Sequence, residues 1–214
     1  MSTVALIDYG SGNLASAEKA LVAAARAGGD RLRVLVTDKP DEILAADRIV
    51  LPGVGAIAAC MHALEARSGV VEAMTQAVTK GGKPFLGVCV GMQLLATRGL
   101  EFGETAGLGW IPGDVRRIEP AGHQFKVPHM GWNALEGVAA HPLFEGLEDG
   151  AHMYFTHSFA IYPSDPAASI ARTDHGGAFT AAVAKANIAG VQFHPEKSQA
   201  AGLRLLHNFL EWRP

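Results

Sequence analysis

The sequence predicts one α/β domain over residues 1–214, with a mostly parallel central sheet flanked by helices and antiparallel additions in the C-terminal half. Three observations predict it. In the first half, short apolar runs alternate with helix-length segments, as in a parallel sheet covered on both faces. After Gly109 the helical segments give way to closely spaced β-like pieces separated by Pro, Gly, Asp and Asn. Apolar residues make up 49% of the chain and charged residues 18%, the balance of a protein with a substantial core, and no repeat or low-complexity linker divides it.

The elements follow in order. Val4 to Asp8 reads as the first strand, and Gly10-Ser-Gly12 then leads into an Ala-rich helix from Asn13 to about Ala27, ended by Gly28-Gly29. Leu32 to Val36 and Arg48 to Leu51 are further strands. Helical segments follow Pro52-Gly-Val-Gly55, one to about Arg67 and one from Val70 to Lys80. Gly81-Gly-Lys-Pro84 breaks the chain before the apolar run Phe85 to Val88, and Gly91 to about Thr97 reads as helix. The β-like pieces beyond Gly109 are Val115 to Ile118, Met153 to Phe159, Ser169 to Arg172, Phe179 to Lys185 and Ile188 to Phe193. A last helix runs from Gln199 to about Glu211 with Leu203, Leu206 and Leu210 on one face.

Bulk properties exclude several classes of function. A formal net charge of −3 points to no nucleic-acid partner and no anionic membrane surface. No run reaches the ~18–20 apolar residues of a membrane span. No basic segment precedes the first strand, so a secretory signal is not expected. Two cysteines, Cys60 and Cys89, are too few for a disulfide framework. The expectation is a cytoplasmic protein.

Gly87-Val-Cys89-Val-Gly91 carries the sharpest chemical signal. It follows a strand and precedes a helix, in the form of a nucleophile elbow with cysteine as the nucleophile. Flanking glycines permit the sharp turn, the helix N-terminus favours the thiolate, and the Val90 N–H faces the place of a developing oxyanion. The competing reading is a buried structural cysteine between packing glycines. Cys60, in Ala-Ala-Cys-Met within a helical stretch, is assigned to packing.

A cysteine nucleophile needs an imidazole partner. His194 ends an apolar run at the carboxyl side of a strand, where Cys89 would also emerge, and Glu196 two residues on can orient its ring. The other histidines singled out, His62, His141, His152 and His207, read as core or surface residues. No pair has convincing metal-ligand spacing, so no metal is expected. Gly10-Ser-Gly-Asn-Leu-Ala15 after a strand, with Asp38 ending the next, also fits a dinucleotide-binding fingerprint; the signal is short, and Asp8 is an awkward neighbour for a pyrophosphate.

Pro84-Phe-Leu-Gly-Val-Cys89-Val-Gly-Met-Gln93, Val191-Gln-Phe-His194-Pro-Glu196-Lys-Ser198 and Leu51-Pro-Gly-Val-Gly-Ala56 resemble signatures of the class I (triad) glutamine amidotransferases. Within that family the chain is most similar to the glutaminase subunits of imidazole glycerol phosphate synthase. The narrower likeness rests on Ile7-Asp-Tyr-Gly-Ser-Gly-Asn-Leu14, Gly107-Leu-Gly-Trp-Ile-Pro-Gly113, Lys126-Val-Pro-His-Met-Gly-Trp-Asn133 and Tyr154-Phe-Thr-His157-Ser158-Phe159. Val90 and Ser11 stand where Leu and Met are frequent, and Thr156 and Phe159 vary the usual pattern.

The resemblance implies a Cys89–His194–Glu196 triad hydrolysing glutamine to glutamate and ammonia without a cofactor. It implies an oxyanion hole from Val90 with Gly53, Val54 and Gly55, and substrate contacts at Gln93, Gly91, His157 and Ser158. It also implies a heterodimer with a (β/α)8-barrel cyclase that uses the ammonia to form imidazole glycerol phosphate and AICAR in histidine biosynthesis, with Asn13, Met130, Trp132 and Lys197 at the interface. The rivals are a glutaminase serving another synthase, a γ-glutamyl hydrolase, or a binding subunit of the same fold without turnover; Pro128-His-Met-Gly-Trp-Asn133 favours the imidazole glycerol phosphate synthase assignment over the two enzymes, and the intact triad argues against the binding subunit.

Overall fold

In the computed structural model, which describes residues 2–29 and 31–214, the first half is built of β1 (Ser2–Ile7), α1 (Leu14–Ala27), β2 (Leu32–Thr37), α2 (Pro40–Ala45), β3 (Arg48–Gly53), α3 (Ile57–Glu65), α4 (Val70–Thr75) and β4 (Phe85–Cys89). One helical turn, α5 (Val90–Gln93), leads to the short strands β5 (Arg98–Gly99) and β6 (Thr105–Ala106). Then come β7 (Gly113–Arg117), β8 (His129–Ala134), β9 (His152–His157), β10 (Phe159–Pro163), β11 (Ser169–Asp174), β12 (Ala178–Lys185), β13 (Ile188–Val191) and α6 (Gln199–Glu211).

Seven strands form the central sheet in the order β11-β12-β13-β4-β3-β1-β2. The five from β13 to β2 run parallel, while β11 and β12 are antiparallel additions. A second sheet, β10-β7-β5-β6, and the ribbon β8-β9 complete the C-terminal half. The mostly parallel sheet with antiparallel additions is therefore as the sequence predicts. Because β3, β4 and β13 lie side by side and are buried along their whole length, their carboxyl ends meet at one place. In a parallel sheet that end is where functional loops gather.

α1 is capped by Asn13, whose Oδ1 accepts from the Ser16 amide at 3.2 Å. α6 turns Leu205, Leu206, Phe209 and Leu210 inward, so its buried stripe is centred one residue from the Leu203-based face; Leu203 is only partly buried. Its C-terminal carbonyls are held by Arg48, buried on β3, whose Nε donates to Phe209 O at 3.1 Å and Nη2 to Trp212 O at 3.0 Å. The last helix is thereby fixed to the middle of the sheet.

Several expected elements are redrawn. The helix from Gly91 to Thr97 stops after one turn, because the carbonyls of Leu94, Leu95 and Ala96 accept from the amides of Leu108, Ile111 and Gly109. The helix to Lys80 widens into a π turn over Gln76–Lys80, with Gly81 N–H reaching back to Gln76 O. The run Met153 to Phe159 splits at Ser158, so β9 pairs with β8 while β10 pairs with β7. The strand to Phe193 ends at Val191. α2 and β8 had no counterpart in the sequence reading, the first because Pro opens a six-residue helix and the second because its Gly131, Trp132 and Asn133 break apolar alternation. Among the described residues, no helix is long and apolar enough to cross a membrane.

Candidate active site

Cys89 closes β4 with φ 56° and ψ −114°, a conformation that L residues avoid and that is held only where the surroundings impose it. The flanking glycines make room for it. A Cβ on Gly87 would lie 2.5 Å from Gly91 O, and one on Gly91 would collide with the Leu51 carbonyl. The strand therefore turns back on itself as tightly as the backbone allows, and the thiol points into a cavity of about 270 Å³ lined by Cys89, Gln93, His157, Ser158 and His194 among others. α5 supplies only one turn of aligned peptides, so the helix-dipole support expected for the thiolate is smaller than a full helix gives. The Val90 N–H, first in that turn, has no partner within it.

His194 follows β13 and is buried; its backbone N–H donates to Tyr154 O at 2.9 Å, which fixes the segment against β9. Its Nδ1 pairs with Glu196 Oε1 at 2.8 Å. Pro195 opens a single 3-10 turn that folds the carboxylate back. Burial opposes a charged imidazole, but the Cys89 sulfur and the Glu196 carboxylate outweigh it and raise His194 to about 9. The other ring nitrogen, Nε2, is buried and makes no closed hydrogen bond in this arrangement. That nitrogen is free to carry a proton to or from a reacting molecule.

The end of β3 and the loop after it lie beside Cys89, with Gly53 registered opposite it. A Cβ at Gly53 would meet Gly91 N and Tyr9 Oη, each at 2.8 Å. Tyr9, two residues beyond β1, holds the loop through a 2.7 Å bond from its hydroxyl to Pro52 O. The backbone on both sides of Val54 is clasped by one side chain: the Val54 N–H donates to Ser11 Oγ at 3.1 Å, and Ser11 Oγ donates to the Val54 carbonyl at 2.9 Å. Cys60 Sγ lies 3.2 Å from the same carbonyl and 3.3 Å from Ser11 Oγ. Cys60 is thus a buried residue of α3, as the packing assignment holds, and also a contact of this loop, which that assignment missed. Val54 and Gly55 line the cavity, Val54 with its own side chain half exposed.

A chain of directed hydrogen bonds runs behind the far wall, starting from Phe159 and His157. The Phe159 carbonyl can only accept, so His157 Nδ1, at 2.9 Å, carries its proton. His157 Nε2 must then accept from His129 Nδ1 at 2.9 Å, and His129 Nε2 from Asn133 Nδ2 at 3.1 Å. Burial pushes His157 down to about 4 and His129 to about 3, with neighbouring histidines adding to it, so both rings are neutral near pH 7. Neither nitrogen of His157 is left for a ligand, which leaves the backbone at residues 157–158. His175 stacks on His129 at 4.2 Å. The sequence reading missed His129, because only the antiparallel pairing of β8 with β9 brings it opposite His157.

Gln93 is buried in the cavity wall, its Nε2 donating to Phe159 O and Gln192 Oε1, each at 3.0 Å. Gly91 faces away from the cavity and serves the elbow. Asn13 lies outside the cavity, in a small apolar crevice behind His194 and Glu196. On β8, Met130 (63% exposed) and Trp132 (46% exposed) point outward. Trp132 stands edge-on to Tyr154 at 6.0 Å, and Lys197 Nζ lies 5.7 Å above the same ring. Tyr154 thus joins two predicted interface residues into one exposed face, a role not legible before the β8–β9 register was known.

Residues 5–212 match the family model described as glutamine amidotransferase class-I. The chain is 62% identical over 214 residues to "Imidazole glycerol phosphate synthase subunit HisH" of Caulobacter vibrioides, covering 100% of both. It is 54% identical to the protein of the same name from Rhodospirillum rubrum, covering 99% of each. A crystal structure of a glutamine amidotransferase aligns with TM-score 0.71 at 20% identity over 97% of both chains. A glutamine amidotransferase from Thermotoga maritima aligns with TM-score 0.63 at 17% identity, covering 98% of this chain and 96% of that one; these last two likenesses concern the fold.

Proposed function

Since this chain belongs to the class I glutamine amidotransferase family and, within it, to the HisH subunits of imidazole glycerol phosphate synthase, it is a glutamine amidotransferase, and we propose that it hydrolyses glutamine through Cys89, His194 and Glu196. The observation that carries the assignment is convergence. A strained cysteine, a histidine with a free buried Nε2 and a carboxylate on its Nδ1 meet at the carboxyl ends of adjacent strands, around one amino-acid-sized cavity.

Each group has a role that its surroundings support. The Cys89 thiolate attacks the side-chain amide carbon of glutamine, and the carbonyl oxygen gains the electron pair. The Val90 N–H and a backbone N–H of the Gly53–Gly55 loop stabilise that oxygen. His194 delivers a proton to the departing nitrogen as the C–N bond breaks and ammonia leaves. It then takes a proton from the water that hydrolyses the thioester. Glu196 keeps Nδ1 protonated, so that Nε2 is the nitrogen that exchanges protons. Gln93, with both amide hydrogens engaged, offers Oε1 to the substrate's ammonium, and the backbone of His157 and Ser158 offers contacts to its α-groups.

The ammonia passes to a cyclase partner with a (β/α)8-barrel fold, in a cytoplasmic heterodimer, for imidazole glycerol phosphate and AICAR formation. Residues 1–214 act as one amidotransferase domain. Met130, Trp132 and Lys197, together with Asn13, face the partner. In this resting arrangement Ser11 engages the Val54 N–H, so the isolated chain turns over slowly and gains activity in the complex.

Glutamate release from glutamine, measured with the chain alone and with the cyclase plus its nucleotide ligand, tests the reading. Release that rises sharply with the partner and disappears in Cys89→Ala is expected. No release from a folded chain that binds the cyclase would identify a binding protein without turnover and sink the catalytic assignment.

A further inference from the structure

The sulfur of Cys89 has one polar neighbour that neither the triad nor the oxyanion hole uses. Gln192 stands two residues before His194, completely buried, with Nε2 3.8 Å from Cys89 Sγ. Its Oε1 accepts from Gln93 Nε2 at 3.0 Å. The two ends of an amide have nearly the same shape, so the direction of such a chain must be fixed from outside. The Phe159 carbonyl fixes it. A carbonyl only accepts, so the Gln93 atom 3.0 Å away is its NH2 group. That same NH2 meets Gln192, whose contacting atom must therefore be the oxygen. The NH2 of Gln192 is what remains to face the sulfur.

We infer that Gln192 is a catalytic residue for the proposed glutamine hydrolysis, a buried N–H donor to the Cys89 sulfur that favours and aims the thiolate, with Gln93 as the residue that positions it. A thiolate accepts such a bond more strongly than a thiol, because the acceptor carries full charge. Burial removes the water that would compete for it. The donor acts at both ends of the cycle. It holds the thiolate before the sulfur lone pair attacks the amide carbon, and receives it again when the C–S bond of the thioester breaks on hydrolysis. A second glutamine chemistry is thus built into the wall: Gln93 both borders the substrate cavity and sets the sense of Gln192.

Titratable groups face the Cys89 sulfur from several elements. His194 faces it from the segment after β13, with Glu196 behind that ring, and Tyr9 approaches from the end of β1. His157 and Glu101 stand on the cavity wall. Any midpoint measured for Cys89 belongs to this set, above all to the Cys89–His194 pair. Comparison of variants at Gln192 isolates the one contribution of interest.

The inference rests on Cys89 as the nucleophile. The full chain is alkylated with iodoacetamide across pH, the Cys89 peptide is followed by mass spectrometry, and glutamate release is measured in the complex with the cyclase. Gln192→Met removes the donor at similar volume, and Gln192→Glu keeps the shape but points a carboxylate at the sulfur. We expect the Cys89 midpoint to rise by about one unit in Gln192→Met and further in Gln192→Glu. The kcat of Gln192→Met falls about tenfold near neutral pH, KM moves less than about threefold, and the loss shrinks as pH is raised. An unmoved midpoint in both variants, with Cys89→Ala inactive, overturns the inference alone. Glutamate release by Cys89→Ala overturns the nucleophile assignment and the inference with it.

Discussion

Replacing Ser11 by alanine is a direct perturbation of the loop beside Cys89. Ser11 Oγ makes two hydrogen bonds to the peptide groups on either side of Val54, accepting from Val54 N–H at 3.1 Å and donating to Val54 O at 2.9 Å. While it does so, the Val54 N–H cannot serve an oxyanion. Each bond is near the surface, so a net ~0.5–1 kcal/mol apiece is the appropriate scale. Removing both takes about 1–2 kcal/mol from the resting orientation, which at ~1.4 kcal/mol per decade is about 5- to 30-fold in the population of any alternative. The Cys60 thiol, still 3.2 Å from the Val54 carbonyl, keeps the effect below the ~3–4 kcal/mol that a lost oxyanion donor costs. In Ser11→Ala, glutamate formation by the isolated chain is therefore expected to rise about 5- to 30-fold, while the rate in the saturated complex changes less than about twofold. Equal or lower activity in the isolated variant, at an unchanged melting temperature, would refute the latch.

Two further outcomes follow from the same geometry. Gly91→Ala drives a methyl group into the Leu51 carbonyl, backbone against backbone, so a loss at or above the upper end of the ~1–3 kcal/mol of overpacking is expected in urea unfolding; a midpoint within error of the parent would contradict the elbow geometry. His194, raised to about 9 against an ordinary value near 6.5, contributes stability that is complete below about 6.5 and lost as pH rises through about 9. Glu196→Gln weakens the pairing with Nδ1, so melting temperatures taken between pH 6.5 and 9 should decline less steeply in the variant than in the parent.

The fold was legible where the pattern was local. Alternating apolar runs and glycine breaks marked β1 to β4, and turn residues marked the antiparallel pieces, because period and punctuation act over a few residues. The elbow was legible because two glycines flanking a cysteine, between a strand and a helix, leave the backbone free for one sharp turn. What stayed hidden depends on distant residues meeting. Ser11 and Cys60 clasp Val54 across separations of 43 and 6 residues, and His129 meets His157 of the cavity wall only through the β8–β9 register. Gln192, in Val-Gln-Phe, reads as one polar residue in an apolar run until Phe159 O, 33 positions earlier, gives its amide a direction. The short α5 was misjudged for the same reason, since the segment 108–111 captures the carbonyls that would have extended it.

The place of β13 in the sheet also governs the protein's birth. It is the last strand in sequence, yet it lies between β12 and β4, so one side of β4 has no partner until Ile188–Val191 has been synthesised. Until then Phe85–Cys89 is an apolar open edge, the kind of surface on which nascent chains associate wrongly. The imidazole emerges later still than the strand that carries it to the thiol. A ribosome-bound chain thus holds Cys89 long before it holds His194, and on the proposed mechanism the pair stays incomplete until the segment after β13 has emerged.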